Sequence, residues 1–152
     1  MRVCERSFRF VRFSSHVAVQ RDMSTDYEIC EDRPLSRSEY ELVEWLLRHG
    51  ESKALVYAPQ LEGARVISRC SCGCDSVNFA IDGVVPAPGA MGILADYEWR
   101  ESTGALNGIY LFERDGLLAG LDVWSQDGLS VRVKLPQIDE IVPIGTLDIQ
   151  QT

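Results

Sequence analysis

From Ala64 onward the apolar residues fall at every second position and are punctuated by glycine and Asp-Gly pairs, a pattern that suits strands joined by tight turns. Val77, Phe79 and Ile81 alternate with Ser76, Asn78 and Ala80. Leu129, Val131 and Val133 alternate with Ser130, Arg132 and Lys134, so each series offers one face to a core and one to water. Ile109-Tyr110-Leu111-Phe112 is apolar on both faces and belongs in mid-sheet. Asp115-Gly116 separates it from 117–124, and Asp127-Gly128 separates that run from 129–133, which predicts two consecutive hairpins, a meander. The stretch 84–92, with Pro86 and Pro88, has no core pattern and reads as a connection.

Upstream, the spacing predicts one helix over 37–49. Ser36 can cap its start while Glu39, three residues on, reaches back to the cap amide, and Leu35 with Tyr40 makes a hydrophobic staple. Gly50, after Arg48-His49, fits a left-handed terminator. Arg37, Glu41, Glu44 and Arg48 make a narrow charged stripe; Tyr40, Leu42, Val43, Trp45, Leu46 and Leu47 fill the rest of the wheel. Such a helix needs cover on two sides. A sheet supplies one, and the next segment, where Ala54, Tyr57, Ala58 and Leu61 keep helical spacing, supplies the other as a short or broken helix around Pro59. The expected architecture is α+β: an N-terminal helix, or two, packed on an antiparallel sheet of about five strands with a C-terminal meander.

A chain of 152 residues with 45% apolar and 25% charged residues suits a single domain with its own core. No apolar run approaches the roughly 20 residues of a spanning helix. The net charge of -8 repels nucleic-acid phosphates and anionic lipid, so neither nucleic acid nor membrane is expected, and a basic protein is the partner best matched in charge. Residues 1–22 break this pattern, with Arg2, Arg6, Arg9, Arg12 and Arg21 against Glu5 and Asp22. That basic leader lacks the apolar core of a secretory signal; it reads as a disordered or transit segment, or as sequence ahead of a native start at Met23. The domain is then 23–152 and its setting cytoplasmic.

Cys70-Ser71-Cys72-Gly73-Cys74-Asp75-Ser76 places three thiols at alternate positions, where an extended chain would turn them to one side. Three soft ligands then converge, and zinc becomes the candidate cofactor, although its usual knuckle is Cys-x-x-Cys and a fourth ligand must come from Cys30, His49 or Asp75. A second reading is thiol redox chemistry at Cys72-Gly73-Cys74, where glycine lets the chain bend. A third is that the cysteines are small packing residues in a turn.

His49 ends the helix, where the dipole favours a cation by about 0.3–1 kcal/mol, and that structural role suffices for it. No Gly-x-Ser-x-Gly, His-Glu-x-x-His, Gly-x-Gly-x-x-Gly or phosphate-loop pattern occurs, which disfavours the common hydrolase and nucleotide classes and makes a catalytic function the weaker expectation. Asp96, Glu98 and Asp122 share one strand parity. With Trp99 and Trp124 at strand ends they form a candidate docking face for a basic protein, while paired carboxylates for sugar chemistry need a register that spacing alone does not give.

Arg33-Pro-Leu-Ser-Arg-Ser-Glu, Val43-Glu-Trp-Leu-Leu, the cysteine segment and Leu121-Asp-Val-Trp-Ser-Gln-Asp-Gly together resemble small uncharacterised bacterial proteins with a CxCGCxS motif. The last segment also resembles hairpins of toxin-immunity proteins. This resemblance implies a small α+β fold and no established activity. The leading expectation is a non-enzymatic acidic protein-binding module, toxin neutralisation being its sharpest form; the alternative is a metal-binding or thiol-redox protein using Cys70, Cys72 and Cys74.

Overall fold

A computed structural model describes residues 28–147; the leader 1–22 and the start expected at Met23 lie outside that range. Two parts of the expected architecture are overturned. The helix is preceded by a strand, so it is not N-terminal, and the sheet has seven strands in the order β1-β2-β3-β6-β5-β4-β7, every neighbouring pair antiparallel. The strands are β1 (Glu28–Pro34), β2 (Ala64–Cys70), β3 (Val77–Ile81), β4 (Met91–Arg100), β5 (Leu106–Arg114), β6 (Leu117–Ser125) and β7 (Val142–Pro143). Helix α1 (Arg37–His49) follows β1, and a 3-10 segment (Ala54–Gly63) leads into β2.

The start of α1 follows from local chemistry. Ser36 Oγ accepts the Glu39 amide and Glu39 accepts the Ser36 amide, closing the capping box. Glu39 is also gripped in a two-pronged ion pair by Arg33 of β1, at 2.8 and 2.9 Å, which ties the helix start to the edge strand. Burial disfavours the Glu39 carboxylate, yet these bonds outweigh it and hold its pKa below the usual glutamate value. The helix end differs from expectation. Gly50 is extended rather than left-handed; glycine is needed there because a Cβ would sit 2.2 Å from the Leu94 carbonyl oxygen, where Glu51 donates its amide to β4.

Leu42, Val43, Leu46 and Leu47 of α1 bury themselves against Phe79, Ile109, Leu111, Leu121 and their neighbours on one face of the sheet. Pro59 keeps the following segment 3-10, and Gln60 clamps it to the β5–β6 hairpin by accepting the Leu118 amide and donating to the Gly116 carbonyl. That hairpin turns at Asp115-Gly116, both at positive φ, as its sequence predicts.

The expected strand at 129–133 does not form. Asp127 accepts the amides of Leu106 and Leu129, and Ser125 Oγ accepts that of Ser130, so the chain is turned out of the sheet. Val131 is 88% exposed, while Val133 dips into the core. The meander is therefore β4–β5–β6, and the chain after it passes the cysteine loop, where Val133 accepts the Asp75 amide, before returning as β7 beside β4. The strands missed by alternation are β1, paired along β2, and the two-residue β7.

Candidate metal centre

The face of the sheet opposite α1 carries the site. Strand register sets Glu28 opposite Cys70, Asp122 opposite Tyr110 and Tyr110 opposite Asp96, while the Cys70 amide donates to the Ser76 carbonyl. Side chains from β1, β2, the residue just before β3, β6, β5 and β4 thus form one transverse row. Two glycines make room beside it: a Cβ on Gly108 would meet the Trp124 indole at 2.5 Å, and one on Gly120 would meet the Phe112 ring at 2.7 Å, so both rings lie down over the sheet. The result is an open groove of about 480 Å³ with the cysteines at one end, Tyr110 and Phe112 along its wall and Met91 and Arg114 beyond.

The cysteines do not follow an extended strand. After β2 the chain turns, with the Gly73 amide directed at the Cys70 carbonyl at 3.5 Å and Gly73 at φ +90°. The turn gathers the three sulfurs within 4.8 Å of one another, close enough to hold a metal ion. Cys70 Sγ and Cys72 Sγ are 2.9 Å apart, and the Cys74 amide points at Cys72 Sγ at 3.4 Å. Cys72 is the exposed member. The Cys70 thiol and the Cys74 amide both direct protons at its sulfur, which lowers its pKa. Burial, followed by the proton shared with Cys72, pushes Cys70 up to about 12.

The loop is pinned from two directions. Asp75 accepts the Leu135 amide and pairs with Lys134, whose Nζ also donates to the Gly73 carbonyl. On the other side Ser76 Oγ accepts the Val123 amide at 3.0 Å and the Cys74 thiol at 3.4 Å, and donates to the Asp122 carboxylate. Asp122 also bonds Tyr110, whose pKa is raised first by burial and then by this carboxylate.

Of the three residues expected to supply a fourth ligand, none joins the cluster. Asp75 is engaged as above, Cys30 has a partner of its own, and His49 stacks on Trp45 with its Nδ1 at the Trp45 carbonyl, in keeping with a structural role at the helix end. The docking residues are divided. Asp96 and Asp122 lie half-buried in the transverse row and Trp124 is 39% exposed. Glu98 and Trp99 are only 1% and 3% exposed: Trp99 faces the core, and Glu98 is roofed by Gln126 and the Leu147 amide. The parity shared by Tyr97 and Trp99 signals that placement of Trp99. Glu28, Ser76, Tyr110 and Arg114 were not among the expected site residues, and strand pairing, not local pattern, is what brings them in.

No family model, characterised protein or solved structure matches this chain. Among the described residues no helix is long and apolar enough to cross a membrane.

Proposed function

We propose that this protein binds a soft divalent metal ion, zinc by preference, through Cys70, Cys72 and Cys74. The observation that carries this reading is the convergence of three sulfurs within 4.8 Å in a loop tied down at Asp75 and Ser76. Thiolate donors select zinc over hard cations such as magnesium and calcium. A tetrahedral site with Zn–S bonds of about 2.3 Å separates its sulfurs by about 3.8 Å, so Cys70 and Cys72 part by roughly 1 Å on loading. Gly73 gives the loop freedom to do this.

Three protein ligands leave a fourth position, the pattern of zinc sites that keep a place for water or an incoming donor. The three cysteines themselves line the groove. The Cys74 amide, directed at Cys72, and the Ser76 hydroxyl, 3.4 Å from Cys74 Sγ and free to turn its proton to that sulfur once it is a thiolate, would orient the ligands, the role that outer partners play in metal sites. A purely protein-binding reading has less support, because Glu98 and Trp99 are withdrawn from the surface it needs.

The test is elemental analysis of protein purified without added metal, with cobalt(II) titration of the stripped protein. Stoichiometric zinc is expected, with thiolate-to-cobalt charge-transfer absorption that Cys72→Ser abolishes. Metal-free protein that gives no such absorption would overturn the proposal.

A further inference from the structure

The groups around the three cysteines are not equivalent, and the difference assigns a modification site independent of any metal. Cys70 Sγ and Cys72 Sγ stand 2.9 Å apart, inside the ~3.5–4.0 Å separation of unbonded heavy atoms in good contact. Cys74 Sγ also lies within 4.8 Å of both, but it is held in addition at Ser76 Oγ, a hydroxyl fastened to Asp122 and to the Val123 backbone, so closing a bond to it would break that contact. The turn that closes between Cys70 and Gly73 contains the first pair, whereas Cys74 lies beyond it. Cys72 is exposed, so a small molecule can reach it, and it lines the groove.

We infer that Cys70 and Cys72 are an oxidisable dithiol, closed to a disulfide by a low-molecular-weight disulfide, and that Cys74 is left out of the pair. This assignment replaces the Cys72–Cys74 pair suggested by the intervening glycine. Cys72 loses its proton and attacks one sulfur of the reagent R–S–S–R, forming a mixed disulfide and expelling RS⁻. Cys70, likewise deprotonated, then attacks Cys72 Sγ and expels the second RS⁻. The released thiolates take up the two protons, so the protein dithiol is oxidised and the reagent is reduced to 2 RSH. With zinc bound, the same reaction would remove two of its three ligands and release the ion.

The experiment uses the full chain, stripped with a chelator and exposed to oxidised glutathione. Remaining thiols are alkylated, the protein is digested, and fragment spectra locate the label within the peptide carrying all three cysteines. Within the cluster, label on Cys74 alone, with the mass of one hydrogen pair lost, is the expected result, and Cys74→Ser should still lose one hydrogen pair, whereas Cys70→Ser should not close the bond. Label on Cys70 or Cys72, label on all three, or a lasting glutathione adduct would overturn the assignment. None of these outcomes depends on metal binding, so failure here and failure of the zinc reading are told apart.

Discussion

Ser76 is the residue on which the site turns. Its hydroxyl joins the last cysteine to the carboxylate of Asp122 and the amide of Val123, linking the loop to a strand more than forty residues further on. Ser76→Ala removes the hydroxyl and leaves a half-buried amide and carboxylate short of a partner, a loss of about 1–3 kcal/mol. Urea unfolding should record that cost, and zinc affinity should fall by about 10–100-fold as Cys74 loses its orienting bond. Unchanged stability would mean that water replaces the hydroxyl freely. The cysteines were legible in the sequence because they are neighbours in the chain. Glu28, Tyr110 and the bond from Ser76 to Asp122 were not, since a strand's partner lies far away in sequence and a register error of one residue turns every side chain to the other face.

At the scale of elements, the sheet is two pieces joined along a short seam. β3 meets β6 through only Val77↔Leu121 and Asn78↔Gly120, whereas β4–β5 and β5–β6 pair along most of their lengths. Gly120 lies in that seam: an added Cβ would stand 2.6 Å from the Val77 carbonyl oxygen and 2.7 Å from Phe112. Gly120→Ala should therefore cost at least the ~1–3 kcal/mol of an overpacked core site, and it should lower metal affinity as well, because the seam holds Ser76 beside Asp122. Gly83→Ala is the control. Its Cβ meets nothing within 4 Å and it carries only the ~1–2 kcal/mol penalty of a left-handed residue at φ +78°. Equal losses in the two variants, measured by chemical denaturation, would show that the seam tolerates separation. The helix, its cap and the β5–β6 turn were legible because each is written in adjacent residues. The fate of 129–133 was not: its alternation is that of a strand, but the side chains of Asp127 and Ser125 capture the amides that a further hairpin would have used.

Over the whole molecule, the closing of the chain by its last described segment couples stability to pH. Glu98, almost fully buried, loses solvation there, yet Gln126 and the amides of Leu147, Gly145 and Thr146 outweigh that cost and hold its pKa below the ordinary glutamate value of 4.5. A carboxyl depressed in the folded state is protonated first in the unfolded chain, so its contribution is complete above that ordinary value and is lost as pH falls through the folded one. Asp96, two residues away on the same face, has the opposite sign. Burial, then Glu98 and Glu51, raise its pKa above 3.8, so it favours folding most below that value and the advantage disappears as pH rises through the raised pKa. Glu98→Gln should then cost about 1–3 kcal/mol at neutral pH, because an amide group would face the N–H donors. The deficit should shrink under acid. Asp96→Asn should stabilise the protein at neutral pH and lose that advantage below pH 3.8. Thermal unfolding across the acid range checks both signs together: the two variants should diverge from the parent in opposite directions at neutral pH and converge toward it as acid neutralises the carboxylates of a chain whose net charge is -8. Deviations of the same sign would mean that repulsion across the acidic face, rather than the roof over Glu98, governs how this chain responds to acid.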